Sequence, residues 1–126
     1  MAKLTENHQL MEHTEKLLEA VEYSIETFYK VKETGANEDF YETVRPFANR
    51  IKDLNEEWKE MAKLWVQKSK PDYLNGIQIN TASDHIEIIS IQAFFAQTSK
   101  KRFLDSAKSV KYILQTLLDA LKAEGQ

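Results

Sequence analysis

Residues 40–65 read FYETVRPFANRIKDLNEEWKEMAKLW. Phe40, Val44, Phe47, Ile51, Leu54, Trp58, Met61 and Trp65 recur there in alternating steps of four and three. Such steps put every large apolar side chain on one stripe of a helix, the seam expected where helices cross at about 20° in a bundle. Pro46 falls inside the pattern and removes one backbone donor. Phe40 and Val44 stay in phase across it, so the spacing predicts a single kinked helix over 38–68. Asn37 is the expected N-cap, with Glu38 and Asp39 suiting the positive end of the helix dipole.

Three more segments carry the same period. From about residue 4 to 34, Leu10, Thr14, Leu17, Val21, Ile25 and Phe28 form one face, and Gly35 follows as the left-handed residue past its end. From 77 to 97 the run IEIISIQAFFA is rich in β-branched residues, which suits a strand. The spacing Ile79, Ala82, Ile86, Ile89, Ala93, Ala96 is nevertheless helical, and no second strand exists to pair with it. From 100 to 123, Phe103, Ala107, Val110, Leu114, Leu117 and Leu121 repeat the four–three seam, with Thr98 or Ser99 as the cap. Breakers at Gly35-Ala36-Asn37, Ser69–Gly76 and Thr98-Ser99 separate these segments. Four long helices on short connections give an all-α, up-down-up-down antiparallel four-helix bundle, with residues 1–126 as one domain.

Composition narrows the function. The 126 residues contain no cysteine, which removes disulfides, thiolate metal sites and cysteine nucleophiles. The start, MAKLTENHQLMEHTEK, has no apolar signal core, and no apolar run approaches a membrane span. The chain therefore reads as cytoplasmic, with no membrane association. A net charge of −3 argues against nucleic-acid binding through bulk charge. The charge is uneven: residues 1–35 hold four basic and seven acidic side chains, and residues 99–126 hold six basic and three acidic. In the expected topology the first and fourth helices are neighbours, so the acidic helix lies beside the basic one.

Three stretches together, Asp39–Pro46 (DFYETVRP), Lys70–Tyr73 (KPDY) and Lys100–Phe103 (KKRF), resemble in order and spacing the YppE-like family of small uncharacterised Gram-positive bacterial proteins. The resemblance spans about residues 37–118. It implies an up-and-down four-helix bundle with a left-handed twist and brings no activity, cofactor or catalytic residue. Asn75-Gly76 is less helical than the family's usual start of helix three.

Enzymatic motifs are missing. A di-iron bundle site needs Glu-x-x-His pairs, and no acid stands three residues before His8, His13 or His85. His8 and His13 are five apart and cannot face one ion, and Asp84 and His85 point in different directions. All three histidines read as surface or boundary residues. Three glycines build none of the phosphate-loop, nucleophile-elbow or dinucleotide motifs. The expectation is a non-enzyme without cofactor or metal. The acidic stripe Glu12, Glu15, Glu19, Glu22, Glu26 lies nearly opposite the apolar face of helix one, where solvent belongs. Phe28, Tyr29, Phe40, Tyr41, Phe94 and Phe103 gather at one end of the bundle and Trp58, Trp65 and Tyr73 at the other, most of them as core.

Two features point outward. Ile88, Ile91 and Phe95, with Ile77 below, lie on the side of helix three away from its core face, and a helix apolar all round is buried on more than one side. They are the candidate interface for a protein partner or for self-association, unless Tyr73-Leu74 or the N-terminal residues fold over them. Lys100, Lys101 and Arg102 open helix four, where cations oppose the dipole, and form a candidate anion site for phosphate or an acidic peptide. Lys30 and Lys32 belong to the same end, as do Glu33, Glu38 and Asp39, which would neutralise the cluster. The leading expectation is protein–protein association, and the alternative is small-anion or phosphoryl-ligand binding at helix four.

Overall fold

The computed structural model describes the backbone of residues 2–124 and the side chains of residues 7–124. It contains α1 (Ala2–Thr34), a π-helical turn (Phe40–Val44), α2 (Arg45–Ser69), α3 (Gly76–Gln92) and α4 (Lys100–Glu124). Each helix packs on the next and α1 on α4, while α1 and α3 meet across the diagonal, as in an antiparallel four-helix bundle. The described residues form no strand. The four seams supply the core: Leu10, Leu17, Val21 and Phe28 of α1, Ile51 and Trp58 of α2, Ile79, Ile86 and Ile89 of α3, and Phe103, Leu114 and Leu117 of α4 are all buried.

The polar groups of the core are positioned as deliberately as the apolar ones. Trp58 is wholly buried, and its Nε1–H donates to Thr14 Oγ1 at 3.1 Å. The Thr14 hydroxyl in turn donates to the Leu10 carbonyl at 2.7 Å. This relay satisfies the indole in the core and fixes the height of α1 against α2. Nearby, buried Asn55 donates from Nδ2 to the Ser83 carbonyl at 2.9 Å, tying α2 to α3. At one end of the bundle, Glu124 accepts from Trp65 Nε1 at 2.8 Å and from Asn7 Nδ2 at 3.0 Å, so one carboxylate joins α1, α2 and α4. At the other, Phe28 stacks on Phe103 at 4.2 Å and Phe47 meets Phe94 edge-on at 5.6 Å.

Four local expectations are corrected. The kinked helix over 38–68 is instead a π turn leading into α2. Val44 N–H reaches Asp39 O at 3.1 Å and Arg45 N–H reaches Phe40 O, both five residues back. The wider turn carries the Pro46 ring clear of the carbonyl four residues earlier and leaves Pro46 in the first turn of α2, where its missing N–H costs least. It also turns Phe40 off the seam, and Phe40 is exposed. The cap is Asp39, whose carboxylate accepts from Glu42 N–H at 2.8 Å, while Asn37 Oδ1 accepts from Ala96 N–H at 2.8 Å in the α3–α4 connection. Helix three begins one residue earlier than expected, because Asn75 and Gln78 form a reciprocal capping box around Gly76. It ends at Gln92 rather than 97. There the Thr98 hydroxyl donates to the Gln92 carbonyl at 2.8 Å, and successive tight turns bring Phe94 into the core.

Gly35 takes φ 71° after α1, and its N–H bonds Val31 O at 2.8 Å, as expected of a left-handed cap. Lys70 performs the same task after α2 at φ 48° with a side chain that disfavours it. Lys70→Gly removes that crowding, offset in part by glycine's freedom when unfolded, and is expected to add about 0.5–1 kcal/mol and raise the melting temperature by a few degrees. Thr14→Val keeps the core shape and strands the Trp58 N–H. It is expected to cost about 1–3 kcal/mol in chemical denaturation. An unchanged midpoint would show that the indole finds another acceptor.

Candidate functional site

The outward side of α3 follows from its sequence. With Ile79, Ala82, Ile86 and Ile89 turned inward, the 100° step places Ile77, Ile88 and Ile91 on the far side. They are 77%, 45% and 44% exposed respectively. Of the coverings considered from sequence, Tyr73-Leu74 does not account for them, since Leu74 is buried in the core and Tyr73 is itself exposed; the side chains of the first six residues lie outside the described residues. Phe95 does not join this row. Because α3 stops at Gln92, Phe95 lies in the following turn, half-buried and packed against the core. The apolar surface is therefore the pair Ile88 and Ile91, one turn apart, with Ile77 separate near the start of the helix. The charged side chains that α3 itself contributes are Asp84 and Glu87, both acidic.

The basic cluster lies at the start of α4, where Lys100, Lys101 and Arg102 are all exposed. Lys100 Nζ lies 5.8 Å from the centre of the Tyr29 ring, and Lys32 Nζ lies 5.7 Å from that of Phe28. The Tyr29 face thus receives Lys100 at the start of α4, where the helix dipole disfavours a cation, whereas Lys32 lies in the last turn of α1, where the dipole favours one. Among the described residues no ion pair joins Glu33, Glu38 or Asp39 to the cluster, so the neutralisation considered from sequence is not made by direct contacts. The acidic stripe of α1 is solvent-exposed, as expected, and Glu22 of that stripe pairs with Lys111 of α4.

The histidines are dispersed. His13 lies buried at the α1–α2 boundary, with Nδ1 donating to the Gln9 carbonyl at 3.1 Å and Nε2 2.8 Å from Glu57 Oε2. Glu12 pairs with Lys16 at 3.4 Å. His85 is half-buried on α3, and its Nδ1 has no hydrogen-bond partner. No three His, Asp or Glu side chains converge among the described residues, and no helix there is long and apolar enough to cross a membrane.

A cleft between α1 and α2, of about 550 Å³, is not visible in the periodicity. Ala20, Phe47, Ile51 and Leu54 line it together with Lys16, Glu19, Tyr23 and Arg50. It arises because a small residue, Ala20, falls on α1 between the larger contacts His13–Glu57 and Tyr23–Phe47. No sequence signal marks it, since an alanine on a helical face acquires this meaning only through the register between the helices.

The architecture has counterparts of known structure. A protein of unknown function from Listeria innocua superposes with a TM-score of 0.92 at 30% identity, over 97% of this chain and 98% of that one. A Staphylococcus aureus domain of unknown function superposes with a TM-score of 0.83 at 29% identity, over 90% and 96%. The uncharacterised protein YppE of Bacillus subtilis is 29% identical over 115 residues, 91% of this chain and 94% of its own length. Residues 14–121 match the model of the bacterial domain of unknown function DUF1798. With the fold and the sequence in agreement over nearly its whole length, the chain belongs to the DUF1798 family.

Proposed function

We propose that this protein acts in the cytoplasm without chemistry of its own, as a bundle that binds another protein through the outer face of α3. The observation that carries this reading is the exposure of Ile88 and Ile91 on a helix whose opposite face is already committed to the core. The flanking charges argue for a different protein over a second copy. Two α3 faces related by a twofold axis bring Asp84 and Glu87 toward their own copies, whereas a helix with an apolar ridge and Lys or Arg beside it meets them with opposite charge. With Phe95 turned inward, the apolar contact is small, which suits a transient association.

Ile91→Asp leaves the far-UV helical signal intact and abolishes retention of the partner from a cell extract. Tyr112→Asp, at a more open site on α4, leaves retention unchanged. Unfolding of the Ile91→Asp variant would show that Ile91 belongs to the core and would end this reading. Light scattering over a hundredfold concentration range is expected to report a monomer, and a dimer that dissociates on dilution would replace the foreign partner with a second copy.

One observation favours a second reading: among the described residues neither Lys101 nor Arg102 pairs with an acid, although Glu33 at the end of α1 and Glu38 and Asp39 in the connection after it belong to the same end of the bundle. Such a cluster at a helix N-terminus suits phosphate or a phosphoryl group. Millimolar phosphate is then expected to raise the melting temperature by a few degrees, and Lys101→Glu to remove the rise. No shift with the unaltered protein would eliminate this reading.

A further inference from the structure

The α1–α2 cleft has a construction that the helix-three reading does not use. Two contacts pin its ends: His13 meets Glu57, and the Tyr23 ring lies 5.1 Å from that of Phe47. Ten residues of α1 separate these contacts, about 15 Å of helix. Between them α1 lines the cleft with Lys16, Glu19 and the small Ala20, against Ile51 and Leu54 of α2. The adjoining Ser24 hydroxyl donates to the Ala20 carbonyl at 2.9 Å, so it leaves no polar demand in the seam. The floor is therefore apolar, elongated and open to solvent, within the size range of small-ligand clefts.

Its charge is placed at one position. The Arg50 guanidinium lies 5.5 Å from the centre of the Phe47 ring and makes no ion pair among the described residues. Lys16 is already engaged by Glu12 at 3.4 Å, and Glu19, the one acid on the rim, pairs with neither of them. An Arg held over an aromatic ring keeps its fork of donors in a fixed plane, the geometry that takes a carboxylate through two hydrogen bonds. The Tyr23 hydroxyl, on a ring tilted 44° against Phe47, adds a neutral donor to the lining.

We infer that this cleft binds a small amphiphilic carboxylate of the medium-chain fatty-acid class, with the head group on Arg50 and the chain lying along Ala20, Ile51 and Leu54. The length of the seam selects a linear apolar body, and the unpaired guanidinium selects an anionic head over a cationic or neutral one. An uncharged alcohol of equal length loses the bidentate contact and an alkylamine is repelled.

The test is a titration of the isotope-labelled full chain with octanoate, followed by amide chemical shifts. Saturable changes confined to residues 16–23 and 47–54 are expected. Arg50→Gln keeps the length of the side chain and is expected to weaken binding about tenfold, the worth of one charge-assisted contact. Ala20→Leu fills the floor and is expected to abolish binding. Each variant's dispersed amide spectrum establishes that it is folded, and Arg50→Glu serves if Arg50→Gln is not. Octanol, which loses the same contact, is expected to bind about tenfold more weakly, and octylamine to produce no saturable change. The inference is overturned if millimolar octanoate leaves the two segments unmoved, if it acts on α3 instead, if octylamine binds as well, or if both Arg50 variants bind octanoate like the original.

Discussion

The indole of Trp58 sets the geometry on which the rest of the molecule depends. Burying a tryptophan completely gains a large apolar area but takes one N–H out of water, and that donor must find an acceptor inside. Thr14 is the acceptor, and it stays in place because its own hydroxyl is tied to Leu10 one turn back. A hydrophobic seam alone tolerates sliding by a turn, since leucine packs against leucine almost anywhere. A donor that must meet one hydroxyl does not. The relay therefore fixes which residues of α1 and α2 face each other, and from that register follow the His13–Glu57 contact, the Tyr23–Phe47 contact and the gap between them.

The two connections at the opposite end work as a unit for a related reason. The 35–39 segment and the 93–99 segment each carry backbone groups that no helix satisfies, and they satisfy one another. Asn37 accepts from Ala96 N–H, Glu38 N–H bonds the Phe94 carbonyl at 3.4 Å, and Phe94 fills the space beneath them against Phe47. The early end of α3 and the π turn before α2 are parts of this arrangement. An α3 continued to residue 97 would direct Phe95 to solvent, as the 100° step requires, and would leave Asn37 without its acceptor role.

Most of the architecture was legible in the chain. The four seams, the left-handed cap at Gly35 and the pairing of an acidic α1 with a basic α4 follow from residue spacing, and those features do not depend on distant partners. The misplaced features do. Asn37 has the residue type of an N-cap, but Asp39 is the residue whose carboxylate lies at the first free N–H once the π turn forms. Phe95 lies in phase with Ile88 and Ile91, and only the tertiary bond from Thr98 to Gln92 shows that the helix has ended. The exposure of Ile88 and Ile91 followed from the periodicity because both lie within the helix. The α1–α2 cleft was illegible because an alanine on a helical face reads as ordinary core until its opposite number is known. The cations of α4 were explained in part by Tyr29, a contact between chain segments far apart in sequence.

The cleft also has an energetic rationale within the bundle. A buried void of this size would forfeit dispersion contacts on all its walls and cost several kcal/mol. An open cleft is filled by water, and its cost falls to the apolar area left wet. The bundle sustains that cost because α1 packs more extensively on α4 than on α2. On the α4 side the Phe28–Phe103 stack, the Glu22–Lys111 pair and the Asn7–Glu124 bond hold the helix along its length. On the α2 side it is held by polar pins and leaves the seam between them underfilled. This asymmetry lets one side of α1 be incompletely packed without endangering the fold, and an apolar chain entering there gains burial that the protein's own side chains leave unclaimed. The outer face of α3 lies across the bundle from α1, so occupation of the cleft and contact at Ile88 and Ile91 are sterically independent.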